Sequence, residues 1–581
     1  MNKNLKEQFN SAPDESSRAL VAGDPNCPVE IFSVIVNHEV SPLVLDAALN
    51  NINLPQNLAD IGKQRYPRLL AVYNERKPWH DLLHESKTEV DRINLAEKDD
   101  CPSWLLETMI KHDDSPDVIS AAIKHASVHE VLKNLGITRI NQLKLPDTST
   151  MCPIPWNHLE IQQNGDLRIC CMCIYEPFGK LEKDSKMANI KDTSLNEARN
   201  LPMIKELRKS MVNGEKHAMC NQCWDHEALG LPSKRKNMLK VYGSEGWHLS
   251  NVDGSIDTKQ SPLTYLDIRF GNLCNLACRS CGPTDSSLWV DDYLKLSGQE
   301  TATMVYYNRK EYQITKVNNK AEIITDPEDF TWYEQDIFWT EIDQHVKYID
   351  RLYFTGGEPS INKTHYKLLE YLIENNHSKH IDLEYNSNMV AIPEKLYGWW
   401  EQFASVNIGC SIDGIHEYAN YIRPPSEWKV LEKNLDRLGY CGSDKIKAGI
   451  SSTISIYNIL HILDIARWLL QKDYKNIASM ISFHMLEGPD YMNVQALPEQ
   501  NKKQIIDEYE KFYIEIESNY GRKKSLLFRK TFAGILNHMM SADLSIKLSQ
   551  LKFATQNVDA LRSQKLDDTI PWLSNILENI E

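Results

Sequence analysis

The order of apolar and amphipathic segments predicts an α/β protein built around a parallel sheet or barrel. After Leu263 the chain of 581 residues alternates short apolar runs with segments of helical spacing. The apolar runs predict six strands at residues 265–270, 351–354, 381–385, 406–412, 448–454 and 479–485. The predicted helices between them include residues 365–375, 427–438 and 459–471. Alternation of this kind favours parallel pairing, because each crossover helix returns the chain to the edge from which the strand started.

An internal repeat precedes this region. Two copies share the same spacing of Pro-containing pairs and of the apolar residues that follow them. The repeated pairs are Cys27-Pro28 with Ser41-Pro42, and Cys101-Pro102 with Ser115-Pro116. Proline suits the first turn of a helix, and the apolar residues recur at helical spacing. We therefore expect an α-helical repeat domain over residues 1–145, HEAT-like or leucine-rich-variant-like, which either docks a partner or substrate or serves as a scaffold.

Three cysteines lie directly after the first predicted strand. Cys274, Cys278 and Cys281 are spaced C-x3-C-x2-C. Three thiolates this close can hold three irons of a cubane cluster, and the fourth iron is then left without a protein ligand. The alternative is a zinc site, which needs a fourth Cys or His nearby. The next candidates, His345 and Cys410, are too distant in sequence for such a site.

The C-x3-C-x2-C spacing resembles that of the radical S-adenosylmethionine (SAM) enzymes. The resemblance implies a [4Fe–4S] cluster on Cys274, Cys278 and Cys281 whose fourth iron is chelated by SAM. In that family one electron splits SAM into methionine and a 5′-deoxyadenosyl radical, which removes a hydrogen atom from the substrate. It also implies a partial (β/α)6 barrel over residues 255–490, with the cysteines at the C-terminal end of the first strand, where parallel barrels carry their active sites.

The same resemblance implies a SAM pocket on the following strands. The segment Gly356-Gly357-Glu358 after the second strand matches the family's GGEP motif, which binds the amino group of SAM. A serine on the fourth strand contacts the ribose, and a later arginine holds the carboxylate with its planar fork. The implied SAM-binding residues are Gly356, Gly357, Glu358, Asn386, Ser411 and Arg423.

Three positions in this pocket leave alternatives open. Asn388 is an alternative to Asn386 after the third strand. Arg423 is alternatively a surface residue without a ligand. Ser280 stands where the family usually has an aromatic residue that contacts adenine, so the adenine contact is unassigned.

A second cysteine-rich segment covers residues 146–245. Asn164-Gly165 predicts a hairpin that brings Cys152 close to Cys170. The later C-x2-C pair adds Cys220 and Cys223. The segment resembles the SPASM and twitch modules, and the short twitch form holds one auxiliary [4Fe–4S] cluster.

This resemblance implies the ligands Cys152, Cys170, Cys220 and Cys223, and Cys171 or Cys173 is an alternative to Cys170. The same thiolates also suit structural zinc. Ligation by four cysteines favours an electron-transfer role for a cluster. These modules commonly follow the barrel, whereas here the segment precedes it.

Two further regions complete the predicted domain organisation. Residues 296–345 form an insertion with a hairpin near residues 317–320. After Pro498 the pattern is helical, so residues 491–581 are predicted to be a helical C-terminal extension. Trp572 and Leu573 are expected to pack back on the body of the protein.

Composition excludes several classes of protein. The net charge of −15 argues against a nucleic-acid-binding surface. The sequence shows no signal peptide and no apolar run long enough to span a membrane. Thirteen cysteines without an export signal indicate a reducing compartment, and we expect a cytoplasmic protein.

The resemblance implies a function but not a substrate. Relatives with such modules often modify peptides or proteins, so the leading hypothesis is hydrogen-atom abstraction from a peptidyl residue, with electrons from a flavodoxin- or ferredoxin-type donor. The first alternative is a small-molecule substrate, either nucleotide-derived or a natural-product intermediate. The second is a non-catalytic iron–sulfur or zinc protein that binds a partner. No residue is identified as a catalytic acid or hydrogen donor.

Overall fold

The computed structural model describes residues 5–580, apart from 6–7, 11, 13–14, 39–40, 144–147, 174–180, 185, 244–247, 306–309, 326–328 and 487. The chain divides into two compact units, Met1–Leu145 and Pro146–Glu581. Within the described residues, no helix is both long enough and apolar enough to cross a membrane.

Within its described residues the first unit contains helices and no strand, and it has two separate apolar cores. In each copy of the internal repeat, a serine caps the helix that begins at the next residue: Ser41 accepts from Val44 N, and Ser115 from Val118 N. The N-cap serine explains why the Ser-Pro pair recurs. The helices are α1 Glu15–Gly23, α2 Val29–His38, α3 Pro42–Leu49, α4 Gln56–Glu85, α5 Glu89–Ala96, α6 Ser103–His112, α7 Pro116–Lys124 and α8 Glu130–Leu143.

The second unit contains an eight-stranded sheet in the order β13-β12-β11-β10-β9-β5-β1-β2. All neighbouring strands in it are parallel except β1 and β2. The strands are β1 His158–Ile161, β2 Leu167–Arg168, β3 Glu182–Lys183, β4 Lys186–Met187, β5 Tyr265–Arg269, β6 Thr301–Val305, β7 Glu311–Val317, β8 Lys320–Ile324, β9 Arg351–Thr355, β10 Asp382–Ser387, β11 Ser405–Ser411, β12 Ile446–Ile454 and β13 Ser482–Met485.

The six predicted strands are confirmed as β5 and β9–β13, with ends that shift by up to three residues. The predicted Asn164-Gly165 hairpin is confirmed too, since β1 and β2 are antiparallel. One feature was not predicted: β1 pairs in parallel with β5, so that Glu160 lies opposite Asp267. The cysteine-rich segment therefore extends the sheet of the following region.

Helices flank the sheet and form the C-terminal region. Most of them share one continuous apolar core with the strands of the eight-stranded sheet. The helices are α9 Ile154–Asn157, α10 Leu195–Ala198, α11 Pro202–Val212, α12 Asn221–Ala228, α13 Lys234–Tyr242, α14 Trp289–Ser297, α15 Asp336–His345, α16 Lys363–Glu374, α17 Glu394–Trp400, α18 Glu417–Ile422, α19 Trp428–Gly439, α20 Ile462–Lys472, α21 Glu499–Tyr520, α22 Arg522–Met540, α23 Leu548–Arg562, α24 Leu566–Thr569 and α25 Pro571–Glu578.

The predicted insertion contains a small antiparallel sheet of β6, β7 and β8. The hairpin prediction is confirmed, because Val317 pairs with Lys320 and Asn318 and Asn319 both have positive φ. Helix α14 packs on this sheet around Tyr312 and forms a separate apolar core.

We predict that His365 makes the protein less stable in mild acid. Burial lowers the pKa of this imidazole to about 3, whereas an unfolded histidine titrates near about 6.5. Below that value only the unfolded chain binds the proton, so stability should fall by about 1.4 kcal/mol per pH unit. Denaturant midpoints of wild type and His365→Asn, measured at pH 7.5, 6.5 and 5.5, should therefore converge with falling pH.

The matched control is His380→Asn, because His380 is exposed at the end of the same crossover. Its difference from wild type should not change over this pH range. A pH-independent difference between wild type and His365→Asn would show that His365 gains its proton in the folded state.

Candidate active site

The cysteine loop follows β5 and is held by backbone hydrogen bonds from the segment after β11. Ala277 N donates to the carbonyl of Pro424 at 2.6 Å, and Arg279 N donates to that of Ile422 at 2.9 Å. The thiols of Cys278 and Cys281 interact directly. Burial raises the pKa of Cys274 to about 12, and the nearby Cys278 adds to this rise. The structure thus brings the three predicted cluster ligands together.

A buried arginine fixes this loop to the C-terminal helices. The Arg279 guanidinium stacks on Tyr421 at 3.7 Å and forms a buried ion pair with Asp559. It also donates to Gln564 Oε1 at 2.9 Å and to the carbonyl of Tyr421 at 2.7 Å. The helical extension therefore supports the cysteine loop through a residue between two of its cysteines.

The Gly-Gly-Glu segment passes directly beside the cysteine loop. A Cβ at Gly357 would lie 2.1 Å from the carbonyl oxygen of Leu273, and Gly356 has φ +103°. Only glycine permits this approach of two backbones. Glu358 N donates to the same carbonyl of Leu273 at 2.8 Å, so the two loops are joined by a hydrogen bond.

The Glu358 carboxylate is buried and accepts three hydrogen bonds. The donors are Ser360 N at 3.0 Å, Ser387 Oγ at 3.0 Å and Asn388 N at 2.7 Å. Burial raises the pKa of Glu358, although these bonds oppose the rise. The carboxylate thus ties the end of β9 to the end of β10.

The two candidate asparagines lie in different places. Asn388 Nδ2 donates to Asn275 Oδ1 at 2.7 Å and is 3.9 Å from Cys274 Sγ. Asn386 instead lines a central cavity on the polar face of the sheet. Asn388 is therefore the asparagine beside the cysteine loop.

Arg423 is next to the cysteines and is held by an acid. Its Nε donates to Asp413 Oδ2 at 2.6 Å, and its Nη1 is 3.8 Å from Cys278 Sγ. Burial opposes the charge, but Asp413 and Cys278 raise the pKa of Arg423 above its usual range. Asp413 also accepts from Thr453 N of β12 at 2.7 Å. It therefore positions both Arg423 and the chain segment that follows β11. Ser411 ends β11 opposite Ser451 of β12.

A second cavity is lined by five cysteines of the 146–245 segment: Cys152, Cys170, Cys173, Cys220 and Cys223. Burial raises the pKa of Cys152 to about 12. Arg235 also lines the cavity and is fixed by an ion pair to Glu227 at 2.6 Å. The donor set suits an iron–sulfur cluster, which needs four thiolates, and one thiol is in excess.

Cys171 is directed away from this cavity. Its sulfur and the carboxylates of Glu160 and Asp267 all lie within 4.8 Å of one another. Arg269 Nη2 is 2.7 Å from Glu160 Oε1, and Lys234 Nζ donates to Tyr265 at 2.8 Å beside them. Burial and the charge of Glu160 raise the pKa of Asp267 well above its usual range, although Arg269 and Lys234 oppose this.

This cluster was missed from the sequence. The available signal was the occurrence of Asp267 and Arg269 at alternate positions of an apolar strand, which directs both side chains to one face.

The central cavity has a volume of about 600 Å³. Strands β9–β13 and helix α13 line it with polar side chains, which include Lys234, Tyr353, Glu384, Asn386, Asn407, Lys447 and His484.

Comparison with known families finds a match for each of the two cysteine-containing regions. Residues 268–469 match the Radical SAM superfamily, and residues 152–224 match SPASM, an iron–sulfur cluster-binding domain. The protein contains a radical SAM domain preceded by a SPASM domain. A radical SAM domain implies a [4Fe–4S] cluster and SAM, and a SPASM domain implies auxiliary iron–sulfur clusters.

Solved structures add only distant likenesses. One is described as a hexahistidine-tagged anSMEcpe with bound AdoMet, at 16% identity, with 45% of this chain and 62% of that chain covered and a TM-score of 0.28. Another is Streptococcus suis SuiB bound to precursor peptide SuiA, at 11% identity, with 54% and 64% covered and a TM-score of 0.27. The chain thus spans under two thirds of either structure. No curated protein matches the chain.

We predict that Gly357→Ala disrupts the active site without unfolding the protein. The added Cβ would overlap the backbone of Leu273, and the cysteine loop has to move. The iron content after anaerobic reconstitution should fall, and so should the affinity for SAM measured by equilibrium dialysis. Gly398→Ala is the control, because a Cβ at Gly398 in α17 meets no atom within 4 Å. Full iron content and unchanged SAM affinity in Gly357→Ala would contradict this prediction.

Proposed function

We propose that the protein reductively cleaves SAM and uses the resulting 5′-deoxyadenosyl radical to remove a hydrogen atom from a residue of a peptide or protein. The observation that carries the proposal is the convergence of three thiols, a glycine segment and Arg423 at one edge of a parallel sheet within a radical SAM domain. Active sites of parallel α/β folds occur at this edge.

In this proposal Cys274, Cys278 and Cys281 hold the cluster that binds SAM. Gly356, Gly357 and Glu358 form the surface for its amino group, and Ser411 contacts the ribose. Arg423 binds the SAM carboxylate, because its guanidinium is already oriented by Asp413 and directed at the cluster loop. The position of Asn388 beside Cys274 favours it over Asn386 for a polar contact with SAM.

We assign the auxiliary cluster to Cys152, Cys170, Cys220 and Cys223. Cys173 lines the same cavity and stays an alternative to Cys170. Cys171 is disfavoured as a ligand, because its sulfur is near the carboxylates of Glu160 and Asp267 and does not line that cavity. A cluster held by four thiolates has no open iron, which favours electron transfer over substrate binding.

A peptidyl substrate is favoured by the shape of the central cavity. The residues that line it include exposed side chains on β11, β12 and β13, so the cavity is open to solvent at that edge. Described residues of the 296–345 insertion do not line it, so they provide no lid there. An open cavity admits one residue of a longer chain.

The second candidate substrate is a small molecule, since a cavity of about 600 Å³ also suits a ligand of that kind.

Three further proposals concern the rest of the protein and its partner. The helices of residues 1–145 form a repeat domain that holds the substrate protein, and the sheet closes as a partial (β/α)6 barrel. A cytoplasmic flavodoxin- or ferredoxin-type protein supplies the electrons.

Iron analysis tests the assignment of the two clusters. The anaerobically reconstituted wild type should hold about eight irons, and the Cys274/Cys278/Cys281→Ala variant about four. The variant should also form no 5′-deoxyadenosine, because its remaining cluster has no iron for SAM. About four irons plus zinc in the wild type, with loss of all iron in the variant, would make the 152–223 site structural.

Kinetics with SAM test the role of Arg423. Arg423→Lys keeps the positive charge but loses the planar fork, and a hydrogen bond to a charged group contributes about 1.5–3 kcal/mol. The KM for SAM should therefore rise by roughly 10- to 100-fold. Arg437→Lys, on a partly exposed face of α19, is the matched control. An unchanged KM in Arg423→Lys would remove Arg423 from the SAM site.

The substrate class is tested by stimulation of 5′-deoxyadenosine formation. Candidate peptides should increase its rate above that with SAM alone. A rate unaffected by every peptide but increased by a metabolite would favour the small-molecule alternative. Absence of SAM cleavage under reducing conditions would favour the non-catalytic alternative.

A further inference from the structure

Cys171 is the one cysteine of the auxiliary module that does not line the five-cysteine cavity. Its thiol contacts that of Cys170 on one side and faces the carboxylates of Glu160 and Asp267 on the other. Cys171 is partly exposed as a residue and packs against the main apolar core. Cys171 is therefore placed between the auxiliary site and the polar face of the sheet.

Asp267 provides an independent observation at the same place. It is 0% exposed, and neither of its carboxylate oxygens has a hydrogen-bond partner within the described part of the chain. Glu160 Oε2 is also buried without a hydrogen-bond partner among the described residues. Buried polar groups are almost always paired, so an unpaired buried acid requires an explanation.

A cation is a poor explanation for this cluster, although one sulfur and two carboxylates resemble a metal site. The Arg269 guanidinium already pairs with Glu160 at 2.7 Å. Lys234 Nζ lies over the rings of Tyr265 and Tyr353, on the face of the sheet that carries Asp267. Two positive side chains disfavour a bound cation at that position.

The cluster is adjacent to the central cavity. Lys234 and Tyr353 line that cavity, and Tyr353 lies opposite Asp267 in the register of β9 with β5, so the two side chains are on the same face of the sheet. A radical centre formed in the cavity is therefore on the same face of the sheet as the thiol. An S–H bond is weaker than an aliphatic C–H bond, so hydrogen transfer from the thiol to a carbon radical is favourable.

We propose that Cys171 is the hydrogen-atom donor to carbon radicals in the central cavity, and that Asp267 is its proton source. The inference rests on the proposed function. The S–H bond of Cys171 breaks, a C–H bond forms on the radical carbon, and a sulfur radical is left. One electron from a low-potential iron–sulfur or flavin protein and the proton of Asp267 then restore the thiol.

Iron content tests whether Cys171 is free. Cys171→Ser retains the size of the side chain but not an S–H bond. It should keep the full iron and sulfide content of wild type after reconstitution, as should the control Cys441→Ser in the turn before β12. Loss of about four irons in Cys171→Ser alone would identify Cys171 as a cluster ligand and overturn the inference.

Isotope transfer tests the donation itself. The reconstituted enzyme is incubated with SAM in D₂O, with titanium(III) citrate as reductant and without added thiol or substrate. Without substrate, the 5′-deoxyadenosyl radical is the carbon radical that can enter the central cavity and take the hydrogen atom. A thiol exchanges its hydrogen with solvent, so 5′-deoxyadenosine formed by wild type and by Cys441→Ser should contain one deuterium. Cys171→Ser should lose most of this label. Equal labelling in Cys171→Ser would overturn the inference while leaving the proposed function intact.

Asp267→Asn separates the acid from the thiol. Its first turnover should be labelled as in wild type, and label should fall in later turnovers because the thiol is not restored. Full labelling in every turnover would remove Asp267 from the scheme. If wild type forms no 5′-deoxyadenosine at all, the proposed function fails and the inference fails with it.

Discussion

The buried ion pair between Arg279 and Asp559 is the interaction on which the active site depends. A guanidinium inside a protein needs compensation, and Arg279 receives it from a carboxylate, an amide, a carbonyl and an aromatic face. Because Arg279 lies between Cys278 and Cys281, this compensation fixes the sulfur positions. Removal of Asp559 alone would leave a buried unpaired charge in the middle of the cysteine loop.

Backbone contacts complete the support of that loop. The cysteine loop has no regular secondary structure, so its N–H groups need partners from elsewhere. The carbonyls of Ile422 and Pro424 accept from it, and Leu273 in turn accepts from Glu358. The absence of a side chain at Gly357 permits the last of these contacts. Three segments that are distant in sequence thus define one site.

The amount that the sequence could predict follows from how local each signal is. The six strands were predictable, because apolar runs between turns are a local pattern. The proximity of Cys274, Cys278 and Cys281 was predictable from their spacing. The Arg279–Asp559 pair joins residues 280 positions apart, and neither residue type indicates its partner. The pairing of β1 with β5 was hidden for the same reason, since β1 spans only four residues.

The pairing of β1 with β5 has a chemical consequence. It places Glu160 opposite Asp267 and brings Cys171 to both. An unsatisfied buried polar group costs about 1–3 kcal/mol, which is a large part of the marginal stability of a protein. Packing alone would favour an apolar residue at position 267, which is 0% exposed. An acid that destabilises the fold at this position, next to a thiol not needed for the auxiliary cluster, is explained by proton and hydrogen transfer.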